Sequence, residues 1–104
     1  IRFLPESNRQ GMRPHQLSSV LGFSQGITDY GAADFEAETP ITLEAGDLTA
    51  HHSMTVHRAD PNKSDRPRRA LGFVYYASRA KKDLEQSKEQ QKIVMATWKK
   101  AGRI

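Results

Sequence analysis

The feature that most limits what this chain can build is its shortage of core-forming side chains. In 104 residues it has seven Leu, five Ile, four Val and four Phe. That is about one fifth of the chain, at the edge of the range where sequences stop folding alone. The net charge of +4 is too small to keep it unfolded. The length and composition read as one small domain with a lean core. No apolar run approaches the ~18 residues that cross a bilayer, which excludes an integral membrane helix. There is no cysteine, so disulfides, thiolate metal sites and thiol nucleophiles drop out. A reducing, cytoplasmic setting is the expectation.

Charge is distributed unevenly. Residues 1–57 carry three basic and seven acidic groups, and the whole basic excess of +8 follows His57. A skew of this kind marks either a solvated helix face or a surface for an anionic partner.

The opening Ile1-Arg2-Phe3-Leu4-Pro5 has neither a start methionine nor a signal-peptide pattern. It reads as a chain that begins inside a strand and is stopped by Pro5. Residues 5–16 are polar and broken by prolines and Gly11, which predicts a loop. Residues 17–35 contain Leu17, Val20, Leu21 and Phe23 among closely spaced glycines, which predicts irregular structure with a brief helix at most. Asp34 to Glu38 opens a segment of strand character. From Pro40 onward, 41–43, 48–52 and 55–58 are β-prone pieces, with a turn at Glu44-Ala45-Gly46-Asp47. Residues 59–67 (ADPNKSDRP) predict a loop.

Arg68 to Tyr76 (RRALGFVYY) is the clearest strand pattern. Arg68, Ala70, Gly72, Val74 and Tyr76 fall on one face, and Arg69, Leu71, Phe73 and Tyr75 on the other. Residues 79–101 predict the one long helix, its first turns exposed and its C-terminal half docked through Val94, Trp98 and Ala101. The expected architecture is mainly β with a C-terminal α-helix.

The segment from Gly46 to Tyr76, GDLTAHHSMTVHRADPNKSDRPRRALGFVYY, carries the chemistry. It resembles the C-terminal half of the phytanoyl-CoA dioxygenase family, non-haem Fe(II)/2-oxoglutarate oxygenases. That family shows a Gly-Asp turn, a strand ending in the distal iron histidine, a Pro-Asn/Ser loop, and an arginine eleven residues after the histidine. Gly46-Asp47, His57, Pro61-Asn62, Ser64 and Arg68 stand at those positions. Upstream, Pro5-Glu6-Ser7-Asn8 stands where the family has Pro-Gly-Ser-His, followed by Gly11 and His15. The resemblance covers about residues 1–77 and is strongest over 46–76.

The resemblance implies a partial double-stranded β-helix (a jelly roll, cupin-like) over residues 1–78, with 79–104 an appended helix. It implies His57 as a metal ligand and Arg68 as the residue that anchors 2-oxoglutarate. Arginine suits that task because its planar, permanently charged fork grips a carboxylate bidentately. Arg66 and Arg69 are its competitors, and Ala70 and Gly72 leave the wall beside Arg68 open. His51 is a candidate to touch the pocket, and His15 a rim or structural residue. His51 and His52, adjacent on a strand, face opposite ways and do not share one ion.

Two positions depart from the family pattern. Ala59 stands where relatives often have Ser or Thr, and no His-x-Asp or His-x-Glu motif occurs in the chain. Because an iron triad works as a set, the expectation is a C-terminal fragment of an Fe(II)/2-oxoglutarate-dependent dioxygenase that hydroxylates a small-molecule substrate. The fragment itself would be inactive and would form a homo-oligomer through exposed strand edges. The alternatives are a degenerate barrel without metal, or a non-catalytic β-barrel binding module whose basic half takes a polyanion. Nucleic acid is the less favoured partner, because the aromatics of 68–76 alternate as core residues do.

Overall fold

Two residues of alternating strand, Arg2 and Phe3, seed the sheet that organises the first part of the molecule. In the computed structural model, which describes residues 1–18 and 25–104, the elements run in order as follows. β1 (Arg2–Phe3) is followed by a 3-10 turn at Ser7–Arg9, β2 (His15–Leu17) and β3 (Gln25–Ile27). Then come α1 (Ala32–Ala37), β4 (Thr39–Pro40), β5 (His57–Arg58) and α2 (Leu84–Lys100). The expected apolar cluster of Val20, Leu21 and Phe23 lies outside the described residues.

β1 is the middle strand of a three-stranded sheet ordered β4-β1-β5, antiparallel to both neighbours. Phe3 is opposite Thr39 on one side and His57 on the other, while Arg2 is opposite Pro40 and Arg58. Pro40 sits on an edge strand, where its missing N–H costs no ladder bond. β2 and β3 form a separate two-stranded sheet.

Pro5 ends β1, as the sequence predicts. The Ser7 N–H returns to the Leu4 carbonyl (3.4 Å) across a turn in which Glu6 takes φ 58°. That turn buries Ser7, whose hydroxyl donates to the Leu4 carbonyl (2.7 Å) and accepts the Val56 N–H (2.8 Å). A further bond, Leu4 N–H to the Val56 carbonyl at 2.9 Å, fastens the approach to β5. One small buried hydroxyl thus ties the strand carrying His57 to the turn after β1.

The chain divides into two compact units, residues 1–14 with 27–67, and residues 15–26 with 68–104. Among the described residues, full burial falls on Leu4 and Ser7 in the first unit and on Val94 in the second. The core is as lean as the composition implies.

Several local expectations are corrected. The acidic stretch from Asp34 is the body of α1, because Ala32, Ala33, Glu36 and Ala37 favour helix and the Asp34 carboxylate accepts the Gly31 N–H (2.9 Å) at its start. Residues 41–43 and 48–52 have no ladder, and that part of the pattern collapses into the short strands β4 and β5. Residues 68–76 have no regular secondary structure, and Leu71 and Tyr75 are 88% and 90% exposed. Alternation is only half of a strand; without a partner ladder its backbone donors and acceptors stay with water. The long helix begins at Leu84 rather than at 79, where the Asp83 side chain accepts the Gln86 N–H (2.9 Å). In its C-terminal half Val94 is buried and Trp98 half-buried, while Ala101 is exposed.

Candidate functional site

Strand alternation gives the β4-β1-β5 sheet two chemically distinct faces. Phe3 and His57 share one face and Arg2 and Arg58 the other. On the first, the rings of His57 and His51 stand 4.8 Å apart, and Phe3 packs against both, at 5.9 Å and 4.9 Å. His51 reaches His57 because a turn, closed by Thr55 N–H to the His52 carbonyl (2.9 Å), reverses the chain between them.

His57 Nδ1 lies 2.9 Å from the Thr55 carbonyl. A carbonyl only accepts, so Nδ1 carries a proton, and in the neutral ring the lone pair is then on Nε2. His52 accepts the Met54 N–H on Nδ1 (3.1 Å). Partial burial, with the nearby His57 charge second, pushes the His51 imidazole below its ordinary value and favours its neutral form. An open cleft of about 290 Å³ lies alongside, lined by Phe3, Ile41, Thr49, Ala50, His51 and Thr55. It is at the lower limit of small-molecule pocket size.

The opposite face holds β5 in place. The Glu38 side chain is 4% exposed and takes Arg58 on both oxygens (2.5 and 2.7 Å), Arg2 at 3.3 Å and the Tyr30 hydroxyl at 2.6 Å. Asp60 accepts from Arg58 and from Arg2 Nε, the latter at 3.1 Å. Arg58 also lies over the Phe35 ring, 5.1 Å from its centre. Arg58 holds the Glu38 carboxyl below the usual carboxylate range, and Arg2 followed by Arg58 does the same for Asp60. Burial, then the Glu38 contact, pushes the Tyr30 phenol up. Nearby, Arg13 bridges Asp34 (2.8 Å) and Asp29 (3.0 Å), and the Asp34 carboxyl is held at about 2, chiefly by Arg13.

The other motif positions take up local roles. Gly46 adopts φ 102°, which favours glycine, and the Asp47 carboxylate accepts the Glu44 N–H (2.8 Å) to close that turn. In the loop after β5, Asn62 Oδ1 accepts the Ser64 N–H (3.1 Å) while Asn62 Nδ2 donates to the Arg66 carbonyl (2.6 Å). The Pro-Asn/Ser motif is therefore a loop pinned by its own side chains. His57 belongs to the first unit, whereas Arg68 and His15 belong to the second.

Among the described residues, no group of three or more His, Asp or Glu side chains is placed to hold a metal ion. His51 and His57 make two, so the described residues do not by themselves complete an iron site. Sequence reasoning missed Phe3 and the Glu38–Arg58 pair as the supports of His57. The available signal was the mirrored order of Arg2-Phe3 and His57-Arg58, which pairs like with like when the strands run antiparallel. Among the described residues no helix is long and apolar enough to cross a membrane.

A family model described as phytanoyl-CoA dioxygenase matches residues 1–70, a span that takes in the whole β4-β1-β5 sheet, His57 and Arg68. Neither the curated proteins nor the solved structures contain a significant match to the chain.

Proposed function

This chain belongs to the phytanoyl-CoA dioxygenase family, and we propose that it is the C-terminal half of a dioxygenase domain that hydroxylates a small organic substrate with Fe(II) and 2-oxoglutarate. The domain would be a double-stranded β-helix, of which β1, β4 and β5 are one part. The observation that carries this reading is the state of His57. It sits at the start of β5 with its Nδ1–H on the Thr55 carbonyl, which in the neutral ring puts the metal-binding lone pair on Nε2. A backbone carbonyl on the far nitrogen is the support that metal-binding histidines use.

In the intact domain His57 would be one of three ligands, the other two coming from a His-x-Asp motif outside these residues. Bound there, the iron would supply the oxygen chemistry. Arg68 would hold the far carboxylate of 2-oxoglutarate through two parallel N–H donors. Glu38, Arg2 and Arg58 would keep β5, and with it His57, from shifting. The 104-residue chain alone would be inactive.

The test is made in the longer protein that contains this chain. Succinate formation from 2-oxoglutarate is expected, His57→Ala should abolish it together with iron binding, and Arg68→Gln should raise KM for 2-oxoglutarate while leaving iron bound. Succinate release that survives His57→Ala would overturn the assignment, as would the absence of His-x-Asp from the preceding sequence.

One observation favours a second reading, a polyanion-binding module. Phe73, Tyr75 and Tyr76 are exposed rather than packed, in a unit rich in lysine and arginine. Tight binding to unrelated nucleic acids with a steep salt dependence would support it over the oxygenase.

A further inference from the structure

We propose that Phe3 and His51 form an aromatic brace that fixes the orientation of the His57 ring. Both are then positioning residues for the ligand assigned above, and the inference rests on that assignment. The need for a brace follows from where His57 stands. β5 is two residues long and His57 is exposed, so neither a long ladder nor a surrounding core holds its side chain. Its Nδ1 lies 2.9 Å from the Thr55 carbonyl. One such hydrogen bond still lets a ring rock about the N–H···O line, because bonding at a carbonyl tolerates a broad range of directions. A ligand nitrogen that rocks must be ordered when the ion binds, and that ordering costs affinity.

Two further rings limit the rocking. Phe3 lies on the middle strand of its sheet, paired on both sides and directly opposite His57. Its ring centre is 5.9 Å from that of His57, with the planes inclined at 41°. His51 meets His57 edge-on, the centres 4.8 Å apart and the planes at 60°. Phe3 also packs against His51 at 4.9 Å, so the three rings close a triangle. The turn in which the Thr55 N–H donates to the His52 carbonyl (2.9 Å) fixes the backbone between the two histidines. All three spacings fall in the range of favourable aromatic pairs. His51 acts here by packing and makes no bond to the ion, so a ring without nitrogen should serve in its place.

The experiment compares His51→Phe, His51→Ala and Phe3→Ala with the parent in the longer protein that contains this chain. Without metal, nitrogen-resolved NMR of the His57 imidazole should show the Nδ1-protonated form in the parent and in His51→Phe. In His51→Ala and Phe3→Ala it should show a mixture of the two neutral tautomers. Iron affinity should fall about three- to tenfold in His51→Ala, the size of one aromatic contact. His51→Phe should restore it to within about twofold, and KM for 2-oxoglutarate should stay constant throughout. An unchanged His57 signal in His51→Ala, or a loss in His51→Phe equal to that in His51→Ala, would overturn the proposal. Should Phe3→Ala unfold the sheet, the two variants at the exposed His51 decide. The tautomer is read without iron, so failure of the brace is separable from failure of the oxygenase reading, which His57→Ala tests.

Discussion

Glu6 shows how a family motif can survive a change of residue at a local cost. It occupies the position at which the resembling motif has glycine, and it takes φ 58°, a conformation that side chains with a Cβ rarely adopt. The turn is retained because Ser7, immediately after it, is buried between the Leu4 carbonyl and the Val56 N–H. Glu6→Gly should therefore stabilise the chain by about 0.5–1 kcal/mol, the relief of strain exceeding glycine's extra freedom in the unfolded state. The ion pair to Arg9 that it removes is exposed and contributes little. A urea midpoint that rises in the variant is the expected reading, and one that falls would show that Glu6 is not strained. His57 and its eleven-residue spacing to Arg68 were visible residue by residue. Phe3 and Glu38 were not, because nothing local in a sequence says which distant residue will lie across a strand.

Among the elements, α1 is where sequence and structure part most informatively. The stretch Asp34 to Glu38 reads as the opening of a segment of strand character, but helix-forming alanines and an aspartate placed to cap the first turn decide for helix. The same aspartate couples α1 to pH. Arg13 and the Gly31 N–H hold its carboxyl at about 2, below its ordinary 3.8. Its contribution to stability is complete above about pH 4, where the unfolded chain is also ionised. It is lost as pH falls from 4 towards 2, because the unfolded state takes up its proton first. Urea midpoints measured from pH 5 to pH 2 should fall less steeply for Asp34→Asn than for the parent chain. Parallel slopes would remove Asp34 from the account. The long helix α2 was legible in outline, and its late start follows from the Asp83 cap, a signal present in the sequence but outweighed there by the helix formers from Arg79 onward.

For the whole molecule, the uneven charge becomes a division between units: residues 1–14 with 27–67 carry a net −3, and residues 15–26 with 68–104 carry +7. In the first unit Arg2, Arg9, Arg13 and Arg58 are all paired with carboxylates. In the second, Lys88–Glu85 and Lys92–Glu89 are exposed pairs within α2. The second unit also exposes Leu71, Phe73, Val74, Tyr75 and Tyr76 in succession, a run that protein surfaces seldom leave in water. We expect the chain to self-associate through it, with a sedimentation mass that rises with concentration, and Phe73→Lys with Tyr75→Lys should restore the monomer. A monomer at every concentration would show that the run is not an association surface.

By itself the sequence determined the lean core, the strand stopped at Pro5, the self-pinned loop after His57, the C-terminal helix and the family. Each depends on composition or on neighbours a few residues apart, where side-chain chemistry and backbone preference act directly. Only the tertiary structure decided that His51 meets His57, that Glu38 clamps Arg2 and Arg58, and that Arg68 to Tyr76 forms no strand. Those outcomes depend on which distant segments supply a ring, a charge or a hydrogen-bonding edge, and no local pattern encodes that choice.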